Sequence, residues 1–159
     1  MHLRTTTLPA KTFIGKHFTM SFVQNKTFEL WRGFMPQRKE IKHTVGTELY
    51  SMEVYPTGFF ANFNPASQFE KWAAVEVSEV EEIPVGMEML NTPEGLYAVF
   101  LHTGPASEGA RTYDYIFREW LPQSEYEVDD RPHFAVMGEK YQQDSPASEE
   151  ELWIPIRKK

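Results

Sequence analysis

The sequence predicts a duplicated α+β fold: two β-α-β-β modules forming one concave antiparallel sheet with a main helix from each module. Two observations carry this. Apolar residues alternate at strand spacing in six or seven segments and recur at helical spacing in two. Three residue patterns also recur in the same order. Trp31-Arg32-Gly33-Phe34-Met35-Pro36-Gln37 is echoed by Phe117-Arg118-Glu119-Trp120-Leu121-Pro122-Gln123, Lys26-Thr27-Phe28-Glu29 by Arg111-Thr112-Tyr113-Asp114, and Glu70-Lys71-Trp72 by Glu151-Leu152-Trp153. The offsets are 86, 85 and 81 residues, as loop insertions in a duplicated fold would give. We expect one domain over 1–159, with pseudo-repeats at about 8–78 and 83–157.

In chain order, Lys11 to Met20 reads as a strand with Phe13, Gly15 and His17 on one face. Asn25 to Phe34 reads as a helix capped by Asn25, with Phe28, Trp31 and Met35 at helical spacing; Pro36 marks a break, and Gln37 to Ile41 adds a turn. His43 to Gly46 is a loop, and Thr47 to Tyr55 a strand. Pro56 to Pro65 holds turn residues around Phe59, Phe60 and Phe63. Phe69 to Val77 is a strand with Trp72, Ala74 and Glu76 on one face. Ile83 to Leu90 reads as a short strand interrupted by Pro84 and Gly86, and Gly95 to Thr103 as a strong one.

Ser107 or Glu108 opens a second helix with the apolar stripe Tyr113, Ile116, Phe117, Trp120, Leu121, ended by Pro122. His133 to Tyr141 is a strand, and Gln142 to Ser148 a polar loop. Glu150 to Arg157 is a last strand, where Pro155 suggests an edge or a bulge.

Composition excludes several functions. The chain has 159 residues, 16 Lys plus Arg against 23 Asp plus Glu, and a formal net charge of −7. This acidic balance argues against binding nucleic acid, which needs a basic stripe to displace counterions. With no cysteine, disulfides, thiolate zinc sites, iron–sulfur clusters and cysteine nucleophiles drop out together. No phosphate loop, dinucleotide fingerprint or metal-spaced histidine pair occurs, so we expect no cofactor and no metal. The apolar run Tyr97 to Leu101 is far short of the ~20 residues of a membrane span. The polar, threonine-rich start does not read as a secretory signal, so the expectation is a soluble cytoplasmic protein without membrane contact. Aromatic residues make up 14% of the chain, enough to furnish a lined cavity as well as a core.

The terminal run Glu149 to Ile156 is the best candidate for chemistry. Alternation puts Leu152, Ile154 and Ile156 on one face and Glu151, Trp153 and Pro155 on the other. A carboxylate beside an indole offers an organic cation a counter-charge and a π face. The same carboxylate could serve as a general acid, base or nucleophile. Trp72 and Glu70 are pseudo-equivalent in the first half; Trp72 is a pocket candidate, whereas Glu70 is expected to be exposed. Tyr50 and Met52 share a strand face. Phe34 and Trp120, at the helix ends, either reach the seam between the halves or stay in core, and Tyr115 either lines the pocket or faces water.

The run Glu151-Leu152-Trp153-Ile154-Pro155-Ile156 resembles the terminal strand of GyrI-like small-molecule-binding domains, the effector-binding module of AraC-type and BmrR-type regulators. Leu96 to Pro105, Tyr113 to Pro122, Tyr126 to Phe134, Phe34 to Ile41 and Leu49 to Met52 agree with it. The resemblance implies a ligand channel between the halves, a buried glutamate at Glu151 as its key polar group, and aromatics stacking on flat, often cationic ligands. In one branch the same glutamate is implicated in hydrolysing cyclopropane-containing genotoxins. Such regulators carry a helix-turn-helix domain ahead of this module, for which there is no room before Leu8, so a stand-alone module is expected. The expected function is therefore binding of amphipathic, cationic or aromatic small molecules. The alternatives are a hydrolase using Glu151, assisted by Tyr50, and an interaction module acting on a topoisomerase; nothing in the sequence marks a protein partner.

Overall fold

A computed structural model describes residues 1–61, 63–105, 108–138 and 145–159. Among the described residues there are nine strands: β1 (His2–Leu8), β2 (Lys11–Met20), β3 (Leu49–Val54), β4 (Phe69–Val77), β5 (Glu88–Thr92), β6 (Gly95–Thr103), β7 (Tyr126–Val128), β8 (His133–Met137) and β9 (Glu149–Lys158). Helix α1 spans Thr27–Phe34 and runs on as a 3-10 turn over Met35–Glu40; α2 spans Gly109–Tyr115, widens into a π-helical turn over Ile116–Trp120 and closes at Leu121–Gln123.

All described pairings between strands are antiparallel, in the order β1-β6-β9-β8-β3-β4-β2-β5, with β7 also on β9. This order is symmetric about the β8/β3 contact. β1 and β5 are the equivalent edges, each crossing over to the other half's inner strands, and the units are thus β1-β2-α1-β3-β4 and β5-β6-α2-β8-β9. The α+β duplication read from the sequence is observed, but each unit is β-β-α-β-β and not β-α-β-β, because an edge strand, β1 or β5, precedes each.

The sheet has two differently furnished faces. One is covered by the helices. Leu30 and Phe34, one helical turn apart on α1, are fully buried against Ile14, Ile41, Ala73, Val75, Val77 and Met87. Ile116 and Leu121 bury against Ala98, Phe100, Ala135, Leu152, Ile154 and Ile156, with Tyr113, Phe117 and Trp120 packed around them. Ile116 and Leu121 are five residues apart, and the π-helical turn sets them on one face. Between the two helical clusters, Glu53 and Lys71 form a largely buried ion pair.

Several expectations change. The stripe of α1 is Leu30/Phe34: Phe28 is 69% exposed and Met35 is also exposed. Asn25 is not the cap: the helix opens at Thr27 after Lys26, and Asn25, one residue further out, only accepts the Thr27 N–H at 2.9 Å. Pro122 sits inside the last helical turn, whose first positions tolerate it. Strand β5 lies at Glu88–Thr92, beyond the Pro84/Gly86 interruption. Strands β1 and β7 were not foreseen. β1 is polar because it is an edge, and β7 is only three residues long.

Pro155 is not on an edge strand, since β9 lies between β6 and β8. It falls where β8, which pairs Glu151 to Trp153, gives way to β7, which pairs Ile156 to Lys158. Its carbonyl accepts the Asp129 N–H at 2.9 Å on that side. The missing N–H therefore costs no ladder bond. Ser107 as a helix start, the extension of β8 past Gly138 and residues 142–144 of the polar loop lie outside the described residues.

Candidate functional site

The helix-free face carries a second core of Phe13, Met52, Trp72, Ala74, Tyr97, Val99, Phe134 and Trp153, with Tyr50 and Val136 packed on it. Register assembles it in rows. One reads Val99, Trp153, Phe134, Met52, Trp72, His17 across β6, β9, β8, β3, β4 and β2. The next reads Leu101, Glu151, Val136, Tyr50, Ala74, Gly15. Strict alternation on six strands thus brings residues from both ends of the chain onto one surface. Gly15 is required in its row, because a Cβ there would lie 2.1 Å from the Ala73 carbonyl oxygen.

Glu151 and Trp153 share this face, as expected. The Trp153 Nε1–H donates to Glu151 Oε1 at 3.2 Å, and its ring stacks beside Phe134 with centroids 5.4 Å apart and planes 14° from parallel. Trp153 is 9% exposed. The Glu151 side chain is 35% exposed, so it stands at the rim and is not the buried group the resemblance implies. An unforeseen residue completes the arrangement. Arg4 of β1 donates from Nη2 to Glu151 Oε1 at 3.3 Å and from Nη1 to Oε2 at 3.5 Å. Its guanidinium carbon lies 5.4 Å from the centre of the Trp153 ring. The chain's own cation thus occupies both the carboxylate and the π face.

Tyr50 meets Phe13 edge-on at 5.0 Å and Phe134 at 5.8 Å. Burial first, then the negative charges of Glu76, Glu48 and Glu151, push its phenol up to about 12. It is an uncharged donor at neutral pH. Met52 is fully buried in the middle of the Trp–Trp row. Trp72 lies under the His17 ring, with centroids 4.4 Å apart and planes 18° from parallel. His17 Nδ1 is 2.7 Å from Glu70 Oε1, and its Nε2 is 3.2 Å from Glu88 Oε2.

The other three candidates lie elsewhere. Phe34 is core beneath α1. Trp120 packs edge-on against Phe100 at 5.0 Å and near His2 at 4.8 Å, under α2. Tyr115 is 37% exposed. Trp120 and Tyr115 share a groove of about 390 Å³ with Glu119, Gln123 and Ser124, on the far side of the sheet from Glu151. Another groove of about 430 Å³ runs between Tyr55–Ala61 and Glu127–Arg131. His133 borders it, fully enclosed, and burial, then the Arg131 charge, lower its imidazole to about 3. Among the described residues no group of three or more His, Asp or Glu side chains is placed to hold a metal. Nor is any described helix long and apolar enough to cross a membrane.

Arg4 was missed because a single arginine in a polar, threonine-rich start carries no signal of its own. Only the pairing of β1 with β6, the neighbour of Glu151's own strand, brings it there. His17 had a visible signal, since it alternates with Phe13 and Gly15 on β2.

Comparison with known proteins agrees with this picture. The transcriptional regulator BrlR of Pseudomonas aeruginosa is 28% identical over 157 residues, 98% of this chain and 56% of BrlR. The chain therefore spans about half the length of that curated relative. Among solved structures, SAV2435 bound to tetraphenylphosphonium superposes with a TM-score of 0.70 at 14% identity, over 99% of this chain and 94% of that one. The C-terminal domain of EcmrR gives 0.70 at 16% identity, over 100% and 99%. The GyrI-like small molecule binding domain matches residues 1–157, and the chain belongs to that family.

Proposed function

We propose that the helix-free face binds small organic cations with an aromatic or bulky apolar body, with Glu151 as counter-charge and Trp153 as stacking wall. The observation that carries this is the position of Arg4, over the Trp153 ring and on the Glu151 carboxylate at once. A guanidinium held this way is itself a bound cation, and a ligand with a similar charge takes its place. Exchange is energetically feasible because the Arg4–Glu151 pair is exposed on both sides (46% and 35%), and exposed ion pairs are worth about 0–1 kcal/mol. The ligand regains the cation–π attraction, about 0.5–2 kcal/mol according to desolvation, and adds apolar contact with Tyr50, Val136 and Phe134. The tetraphenylphosphonium carried by SAV2435 is an ion of this class.

The test is a titration with tetraphenylphosphonium and with neutral triphenylphosphine oxide, followed by tryptophan fluorescence. The cation is expected to bind at least ten-fold more tightly. Equal affinities would remove the role assigned to the carboxylate.

A further inference from the structure

Strand β4 repeats the arrangement on β9. Glu70 and Trp72 alternate onto the same face as Glu151 and Trp153: Trp72 stands in the row of Trp153, and Glu70 lies on the opposite side of that row from Glu151. The Glu70 side chain is 34% exposed, against 35% for Glu151, so the two carboxylates stand at the same depth. Each tryptophan also lies under a basic side chain that pairs with the glutamate two residues before it. On β9 this is Arg4, 5.4 Å from the ring centre and 3.3 Å from the carboxylate. On β4 it is His17, with centroids at 4.4 Å and the carboxylate at 2.7 Å. The covering groups come from non-equivalent strands: His17 pairs directly with Trp72, whereas Arg4 reaches Trp153 from beyond Val99. What the halves share is the pair that attracts a cation. The β4 pair has an additional carboxylate, Glu88, on the other nitrogen of His17.

From this geometry, and resting on the reading of Glu151 above, we propose that Glu70 and Trp72 form a second cation seat and that the preferred ligands are elongated dications spanning both. Trp153 and Trp72 are separated by Phe134 and Met52, three strand spacings or about 14 Å. Phe134 and Met52 are buried, so the hydrocarbon spacer lies on the half-buried Tyr50 and Val136 packed against this row. The two charges displace Arg4 and His17. Joining two weak sites through one ligand raises affinity by effective concentration, without new kinds of contact.

Decamethonium, whose quaternary nitrogens lie about 14 Å apart when extended and so match three strand spacings, is compared with pentyltrimethylammonium, its monocationic half. Calorimetry on the full chain is expected to show one decamethonium per chain, bound at least ten-fold more tightly than the half-molecule. Glu70→Gln is expected to remove that advantage. His17→Ala uncovers Trp72 and leaves both carboxylates in place, so it is expected to strengthen decamethonium several-fold. If decamethonium shows no advantage, or keeps it in Glu70→Gln, or weakens in His17→Ala, the second seat is overturned. Should Glu151→Gln alone lower affinity for either cation, the first seat stands without the second; indifference to Glu151→Gln brings down both.

Discussion

Arg4 reaches from the edge strand β1 to lie 5.4 Å from the centre of the Trp153 ring, although 149 residues separate them in sequence. The contact is made possible by the crossover that pairs β1 with β6, in the other half of the sheet. In this account it holds the site closed by occupancy, and a ligand cation competes with it.

Replacing Arg4 should therefore improve binding. Arg4→Ala is expected to raise affinity for tetraphenylphosphonium several-fold. It should lower stability by less than about 1 kcal/mol, the range for exposed ion pairs. Parallel ligand titration and urea unfolding measure both. A fall in affinity would mean that Arg4 holds the ligand instead of competing with it.

Phe34 provides the opposite test. It is fully buried under α1, across the sheet from Glu151. Phe34→Ala is expected to cost about 3–5 kcal/mol through the cavity it leaves, with no more than a two-fold change in ligand affinity for the folded variant. A large affinity loss at unchanged stability would place Phe34 at the pocket.

Acid sensitivity should trace to His133. Its imidazole is lowered from 6.5 to about 3, so the folded state holds it neutral while the unfolded chain protonates it. Its contribution is complete above pH 6.5 and is lost as the pH falls from there towards 3. Over that window it weakens the folding equilibrium by about ten-fold per pH unit. The ring faces Tyr55, Phe60 and Phe117, so His133→Phe keeps its aromatic neighbours. Urea midpoints measured from pH 7 to pH 4 should fall less steeply in the variant. An unchanged slope would assign the acid sensitivity to other groups.

The legible parts of the fold were those carried by local pattern. β2, β4 and β9 alternate regularly enough that their faces could be assigned from sequence, and Glu151, Trp153, Trp72, Tyr50 and Met52 do lie on one surface. The stripe of α2 was equally plain. What stayed hidden depends on strand order, which no local pattern encodes. The crossing of β1 and β5 into opposite halves brings Arg4 and Glu88 to the site. Glu70 was expected to be an ordinary exposed charge because one carboxylate near the rings already looked costly. At one-third exposure neither glutamate is fully desolvated, and each has a basic partner, so two are tolerated. Phe34 and Trp120 matched each other across the repeat, but pseudo-equivalence fixes only a shared environment, and theirs is the helix-covered core.

The central claim is that the Glu151 carboxylate selects cations at the Trp153 face. Glu151→Gln keeps the shape and the hydrogen-bond acceptor for Trp153 Nε1 while removing the charge. Calorimetric titration of wild type and variant with tetraphenylphosphonium tests this most directly. Affinity is predicted to fall by about ten-fold or more, because the coulombic attraction of the carboxylate for the cation is lost, with the affinity for neutral triphenylphosphine oxide unchanged. Equal affinity of the two proteins for the cation would contradict it.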